Sequence, residues 1–505
     1  MFNMSARFFR ISEPLSCRRL FLCLLTILVT LALPFSSTFG KTGALDVVLA
    51  IDTSGSMKKT DPNNLRSEAS KLFISLLDEG SRVALVMFDT KATTLAPLQE
   101  LETDRKAMKE QLNHIPSEGK WTDLNQAVRH SYEILLDSTR KERAIIVMTD
   151  GKMDLGNGKL DQGATYELLK VLVPEIRKKK IKIFTIAFTR SSDVAFLKLI
   201  ALKTKGFFYL TEKDKDIHIT YTDIYNHMVT PETLPMEGDK FFVDLSVKEM
   251  NIVVTKEDPE TEVSLLVPGE SAMSFNKHPS DVRWSKSAVY EMVTIPKPMV
   301  GTWYVKYGAE KGNKVFISTD LKLMTSMKKN IIMPGTEMYV EIWLQDGPES
   351  EERSAALFHE LQLTAELIPA KAGEAIQVLL NDDGMKRDVK AGDGIYTALL
   401  APTMSGEYTF RVHSKTATFE REKETSFYVP SQETDDMEEL VEAAKDDPPE
   451  EEATPEPLPE EEKMPEGINW GWVLIRFILI NVILLALLAG GLFYKKYVHK
   501  RRKSK

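Results

Sequence analysis

Three short segments of this 505-residue chain carry side-chain oxygens at spacings that suit a cation. Asp52-Thr53-Ser54-Gly55-Ser56 offers a carboxylate and two hydroxyls at alternate positions, Gly119-Lys120-Trp121-Thr122-Asp123 adds a third hydroxyl, and Thr149-Asp150-Gly151 adds a second carboxylate. Asp52, Ser54, Ser56, Thr122 and Asp150 form an all-oxygen donor set with few charges. Such a set suits a hard, octahedral ion that keeps water in some positions, Mg²⁺ first, with Mn²⁺ or Ca²⁺ as alternatives. So sparse a shell leaves the metal able to accept a carboxylate from another protein. A second oxygen cluster lies downstream, in Asn381-Asp382-Asp383-Gly384, Asp388 and Ala391-Gly392-Asp393-Gly394-Ile395-Tyr396. Asp382, Asp383, Asp388 and Asp393 could bind Ca²⁺ or simply make tight turns, and their spacing is not that of an EF-hand.

The elements around the first set must bring distant segments together. Apolar runs of strand length occur at Leu45–Ile51, Val83–Phe88, Ile145–Met148, Ile181–Phe188 and Phe207–Leu210. Helical spacing separates them at Leu65–Leu77, Arg105–Ile115, Leu124–Leu136, Tyr166–Lys179 and Val194–Thr204. Continuous apolar strands alternating with helices imply a mainly parallel, doubly wound α/β sheet, with ligands gathered beyond the carboxyl ends of the strands. Two of the three oxygen-bearing segments follow strands, the third leads into a helix, and all three would meet at one edge of the sheet. From about Pro231 the pattern changes to short alternating runs such as VDLSV, GTWYVKY and GEYTFRV, broken by Gly, Pro and Asp. That half reads as all-β sandwich material in two modules, 236–313 and an Ig-like 314–430, with one short helical stretch at Glu351–Leu361.

The order and context of Asp52-x-Ser54-x-Ser56, Thr122 and Asp150-Gly151 resemble the von Willebrand factor A family over roughly Leu45–Met228, within a domain expected at 41–230. The resemblance implies that these five residues form a metal-ion-dependent adhesion site. Trp121 beside them would be a contact residue or would pack on its own loop. The local DDG and DGIY pattern at 382–396 is similar to acidic loops in sandwich domains that follow A domains, for example in calcium-activated chloride channel regulators. Signatures of catalysis are missing: there is no phosphate-binding Gly loop, HExxH, GxSxG or cysteine nucleophile, and His359-Glu360 has no second His at zinc spacing. The expectation is a binding protein and not an enzyme.

Composition sets the compartment. Lys and Arg number 65 against 74 Asp and Glu, a net charge of −9 that does not point to nucleic acid. Arg18-Arg19, the apolar run Leu20–Leu33, Pro34 and the small residues to Gly40 have the order of a secretory signal at 1–40, cleaved or retained as an anchor. The only cysteines, Cys17 and Cys23, lie inside it. Phe477–Tyr494 is long enough for a single-pass transmembrane helix within 468–494, with Trp470, Trp472, Tyr494 and Tyr497 at its interfaces. The basic tail 495–505 belongs on the cytoplasmic side, which puts the bulk of the chain in the periplasm or outside the cell. Between them, 431–467 is acidic and proline-rich, with a net charge of about −14 and almost no large apolar residues, and it reads as a disordered stalk. Two roles follow: metal-dependent adhesion to a protein ligand presenting an acidic residue, or assembly of envelope complexes, as in the similar aerotolerance-type A-domain proteins that work with MoxR-type ATPases.

Overall fold

Strands that carry no polar interruption need cover on both faces, and the first strand has it. In the computed structural model, which describes residues 44–431 except 191, 310, 329, 347–360 and 371–373, β1 (Asp46–Asp52) is buried at every position. Val47, Leu49 and Ile51 enter one apolar cluster and Val48 and Ala50 another, the period-two division of a strand between two layers. With β2 (Arg82–Phe88), β3 (Ala92–Glu100), β4 (Arg143–Thr149), β5 (Lys182–Ala187) and β6 (Phe208–Leu210), it forms a sheet in the order β3-β2-β1-β4-β5-β6. All pairings are parallel except β2 with β3.

Eight helices accompany these strands among the described residues: α1 (Met57–Thr60), α2 (Leu65–Leu76), α3 (Leu101–Gln111), α4 (Leu124–Leu135), α5 (Gly158–Glu167), α6 (Val173–Lys178), α7 (Val194–Lys203) and α8 (Ile217–Val229). Phe73 of α2 and Tyr221 and Ile224 of α8 cover one face, while Val128 of α4 and Leu197 of α7 cover the other. The doubly wound expectation therefore meets an α/β domain with a mixed sheet.

The sequence pattern does not mark α1, most of α5, β3 or α8, and the last two have a plain physical reason. β3 is an edge strand that carries Pro97, shifts register twice against β2 and exposes much of its length, so it lacks the apolar run that marks its neighbours. α8 is rich in β-branched and aromatic residues of modest helix propensity. Its Ile217, Tyr221, Ile224 and Tyr225 are all buried, so packing supplies what propensity does not.

The remainder is β throughout. Its strands are β7 (Glu232–Thr233), β8 (Lys240–Val243), β9 (Val247–Thr255), β10 (Ser264–Leu266), β11 (Met273–Ser274), β12 (Arg283–Lys286), β13 (Tyr290–Pro296), β14 (Gly301–Lys306), β15 (Lys314–Thr319) and β16 (Leu321–Thr325), followed by β17 (Met338–Asp346), β18 (Gln362–Pro369), β19 (Ile376–Val378), β20 (Leu380–Asn381), β21 (Tyr396–Leu400), β22 (Gly406–Lys415) and β23 (Glu420–Val429). One nine-stranded sheet, β12-β13-β9-β15-β7-β23-β22-β18-β19, runs through both modules. Its two halves share apolar clusters with the four-stranded sheets β11-β10-β14-β8 and β16-β17-β21-β20 respectively.

The module boundary expected at 313/314 is displaced. β15 pairs along its length with β9 of the first module, so the division falls between Thr319 and Leu321. The α/β domain is clamped to this sheet: the Tyr290 hydroxyl donates to the Glu68 carbonyl (2.9 Å), His218 Nε2 meets Thr255 Oγ1 (3.0 Å) and Asn226 donates to Glu424 (3.3 Å). The expected signal, the acidic run from 432, the apolar segment at 477–494, the basic tail, His359-Glu360 and the short helix at 351–360 lie outside the described residues. Among the described residues no helix is long and apolar enough to cross a membrane.

Candidate metal centre

β1 is where the strand order reverses, since the chain runs outward from it to β2 and β3 on one side and to β4, β5 and β6 on the other. A crevice opens at the carboxyl ends of strands at such a switch point. Asp52 ends β1 and Asp150 directly follows β4, which are neighbours in register.

Asp52 is fully buried. Its Oδ1 accepts from the Ser54 amide (2.7 Å) and its Oδ2 from the Thr149 hydroxyl (2.6 Å). Burial pushes its carboxyl up to about 6, the hydrogen bonds from Thr149 and Ser54 oppose this, and the negative charge of Asp150 adds to it. Ser54 Oγ lies 3.0 Å from Ser56 Oγ, and Ser56 donates to Asp150 Oδ1 at 2.8 Å. Four of the five expected residues therefore form one hydrogen-bonded chain.

Thr122 reaches the same place through its backbone. Gly119 exchanges hydrogen bonds with the first segment, its amide to the Thr53 carbonyl (2.9 Å) and its carbonyl from the Gly55 amide (2.8 Å). A Cβ on Gly119 would stand 2.2 Å from Asp89 Cβ, so only glycine allows this approach. Thr122 then pairs with Asp154 across two backbone hydrogen bonds of 2.9 and 3.0 Å, and Asp123 caps α4 by accepting from the Gln126 amide. Thr122 is buried as a residue, its Oγ1 lies beside Gly151, where a Cβ would stand 3.1 Å away, and no hydrogen bond joins this hydroxyl to another group among the described residues. The donor set fits a hard divalent ion: two carboxylates held close together, three hydroxyls, and one of those hydroxyls lacking a protein partner.

Sequence reasoning missed two hydroxyls and one ion pair. Thr60, one turn after Ser56, donates to Asp150 Oδ2 (2.6 Å), and Thr149 bridges Asp52 and the Gly151 amide. Their signal was adjacency to the motif. Arg66 and Asp61 are both fully buried and paired at 2.7 Å, and the same guanidinium donates to the Pro116 carbonyl and Ser117 hydroxyl. The loop leading to Thr122 is thereby tied to α2. Trp121 is half-buried over Gly156, whose φ of +75° and lack of a Cβ make room for the ring, with Lys120 Nζ 5.0 Å from its centroid. The ring thus packs on the loop that follows β4 and keeps part of its surface open.

In the acidic loop, carboxylate oxygens of Asp382, Asp388 and Asp393 lie within 4.8 Å of one another. Asp383 is not among them, since it turns outward to accept from the Met385 amide. Asp382 also accepts from the amides of Gly392 and Gly394, and Asp388 from those of Gly384 and Lys390. These carboxylates therefore hold two turns together while facing each other.

The comparisons agree with this geometry at the level of the domain. Residues 46–223 match the von Willebrand factor type A domain. Residues 321–423 match a second family model, the conditioned medium factor second Ig-like domain, which begins where the described module boundary lies. Several solved structures are similar to parts of the chain. A von Willebrand factor type A protein from Catenulispora acidiphila is 14% identical over 60% of this chain and 63% of its own, with a TM-score of 0.32. Proximal thread matrix protein 1 from the mussel byssus, with zinc occupying its MIDAS motif, is 16% identical over 39% and 50%, with a TM-score of 0.31. An aerotolerance-related membrane protein from Bacteroides fragilis is 16% identical over 36% and 99%, with a TM-score of 0.29. The chain thus spans less than two thirds of the length of the first two. No curated protein matches it.

Proposed function

We propose that the A domain holds a divalent cation, Mg²⁺ in the first place, on Asp52, Ser54, Ser56, Thr122 and Asp150, and uses it to capture a carboxylate of a protein partner. In this reading a single C-terminal span anchors the chain, and the acidic stalk and β-sandwich modules hold the A domain on the exterior or periplasmic side. The observation that carries the reading is the meeting of three sequence-distant segments at the β1/β4 switch point, with two carboxylates and three hydroxyls converging there. A cation would offset the mutual repulsion of Asp52 and Asp150, and the partner's carboxylate would complete its shell.

Metal and partner should each tighten the other's binding by the same factor. The test is a pull-down from membranes with and without chelator, alongside Asp150→Ala, followed by titration of Mg²⁺ against the captured partner. Capture that disappears on chelation and in Asp150→Ala supports the proposal, and capture that survives both sinks it. Recovery of one abundant envelope complex would mark the assembly role, and binding to foreign surfaces the adhesive one.

A further inference from the structure

We propose that Thr60 sets the ion preference of the site: it holds Asp150 so that this carboxylate offers a cation one oxygen and not two, which favours Mg²⁺ over Ca²⁺. The inference rests on the reading of the site just given and adds to it a positioning residue outside the five-residue donor set.

Thr60 ends α1, one helical turn after Ser56, and is half-buried. A threonine in a helical turn commonly gives its hydroxyl proton to the carbonyl four residues back. Here that carbonyl, of Ser56, is 3.5 Å away and the Met57 sulfur 3.8 Å, while Asp150 Oδ2 is at 2.6 Å. A hydroxyl has one proton, and the short contact with a carboxylate takes it. Thr60 thus turns from its local partners to a residue on another loop.

The turn that carries this donor is fixed at both ends. Met57 is fully buried, and Asp61, directly after Thr60, is buried and gives its amide to the Met57 carbonyl (2.9 Å). The Asp61 carboxylate in turn accepts from the Leu65 and Arg66 amides (2.6 and 3.2 Å) and pairs with the buried Arg66 guanidinium. A donor held on such a turn keeps its direction.

Counting protons shows what Thr60 does for the site. Ser56 gives its single proton to Asp150 Oδ1 (2.8 Å), so Ser54 must be the donor in the 3.0 Å contact between the two serines. The hydrogen bonds run from Ser54 to Ser56 to Asp150, and both serines keep lone pairs for a cation. Asp150 meets these hydroxyls through Oδ1 and is restrained through Oδ2. Turning both of its oxygens toward one ion would break the Thr60 bond. Asp52 is held alike, with one oxygen on the Ser54 amide and the other on the Thr149 hydroxyl. Ca²⁺ draws on bidentate carboxylates and tolerates irregular shells, whereas Mg²⁺ demands a near-ideal octahedron. The restraint on Asp150 therefore works against the larger ion.

The test is calorimetry of Mg²⁺ and of Ca²⁺ with the full chain in detergent, for wild type, Thr60→Val and Thr60→Ser. Binding that remains in Asp150→Ala is subtracted, so that calcium held elsewhere is not counted. Thr60→Val keeps the shape without the proton. It is expected to weaken Mg²⁺ binding about tenfold and Ca²⁺ binding much less or not at all, so the preference for Mg²⁺ shrinks. Thr60→Ser, which keeps the hydroxyl, should keep the wild-type preference. Melting temperatures in chelator should agree among the three. If Thr60→Val melts lower, the pair Thr60→Ala and Thr60→Ser, which differ by the hydroxyl alone, decides in the same way. An unchanged Mg²⁺ to Ca²⁺ ratio without the hydroxyl overturns the proposal, and so does an equal loss of both ions, which would make Thr60 a general support of the loop. The two readings fail differently: a wild type that binds no cation beyond Asp150→Ala sinks the metal site and this proposal with it, whereas binding indifferent to residue 60 sinks the ion preference alone.

Discussion

Asp52 is the residue whose environment is most at odds with carrying a charge. Its side chain is fully buried, Asp150 is close by, and burial raises its carboxyl to about 6, so the metal-free fold is strained by the ionised form at neutral pH. Asp52→Asn removes that charge and keeps an acceptor for the Ser54 amide, while the Thr149 hydroxyl must reorient. In chelator the variant is expected to be more stable than wild type by about 1–2 kcal/mol at pH 7, and Mg²⁺ should no longer raise its melting temperature. A variant that melts lower than wild type in chelator would show that the hydrogen bonds outweigh the buried charge. The same background isolates the acidic loop. If Asp382, Asp388 and Asp393 take Ca²⁺, millimolar calcium should raise the melting temperature of Asp52→Asn, and Asp388→Asn should abolish the shift. No shift would leave these carboxylates as turn formers, the role their amide contacts already describe.

At the scale of elements, the loop that delivers Thr122 depends on one glycine. Gly119→Ala drives a Cβ to within 2.2 Å of Asp89 Cβ, so the loop must move and carry Thr122 with it. Cation affinity is expected to fall tenfold or more while the apolar layers stay intact, which calorimetry and thermal melts would separate. A variant with wild-type affinity would mean that the loop position is not limiting. The junction of α8 with the β-rich half makes a different prediction. Burial pushes the His218 imidazole down to about 4, with a hydrogen bond to the Lys215 carbonyl opposing this, and Thr255 and the stacked Tyr290 ring complete its surroundings. Its folded value lies below the unfolded one, so the unfolded chain takes up a proton first as pH falls. The stability present above about 6.5 is then lost progressively down to about 4, by roughly 3 kcal/mol. Melting curves between pH 7 and 4 should show this slope, and His218→Gln should flatten it. An unchanged slope would assign acid sensitivity to other groups.

On the scale of the whole molecule, the exterior placement proposed above is tested by access of a protease. Protease added to intact spheroplasts should release a soluble fragment containing residues 44–431 and leave the span and tail in the membrane. Full protection of that fragment would overturn the placement. The nine-stranded sheet adds that the two β modules should melt together. β7 lies between β15 of the first and β23 of the second, so neither half of the sheet is complete alone.

Local chemistry was legible without coordinates. Strands buried on both faces announce themselves as unbroken apolar runs, as in β1, β4 and β5, and motif residues at their carboxyl ends follow from the chain order. The convergence of Asp52, Ser54, Ser56, Thr122 and Asp150 at one edge of the sheet was legible this way, because it follows from residue type, spacing and chain order. β3 and the hydroxyls of Thr60 and Thr149 were not, since an edge strand carries no apolar run and a lone hydroxyl has no signature of its own. The pairing of Thr233 with Glu422 and the limit of the first β module at β15 were decided only in three dimensions. Each depends on residues far apart in the chain coming together, or failing to, and periodicity records which face of an element is buried but not what buries it.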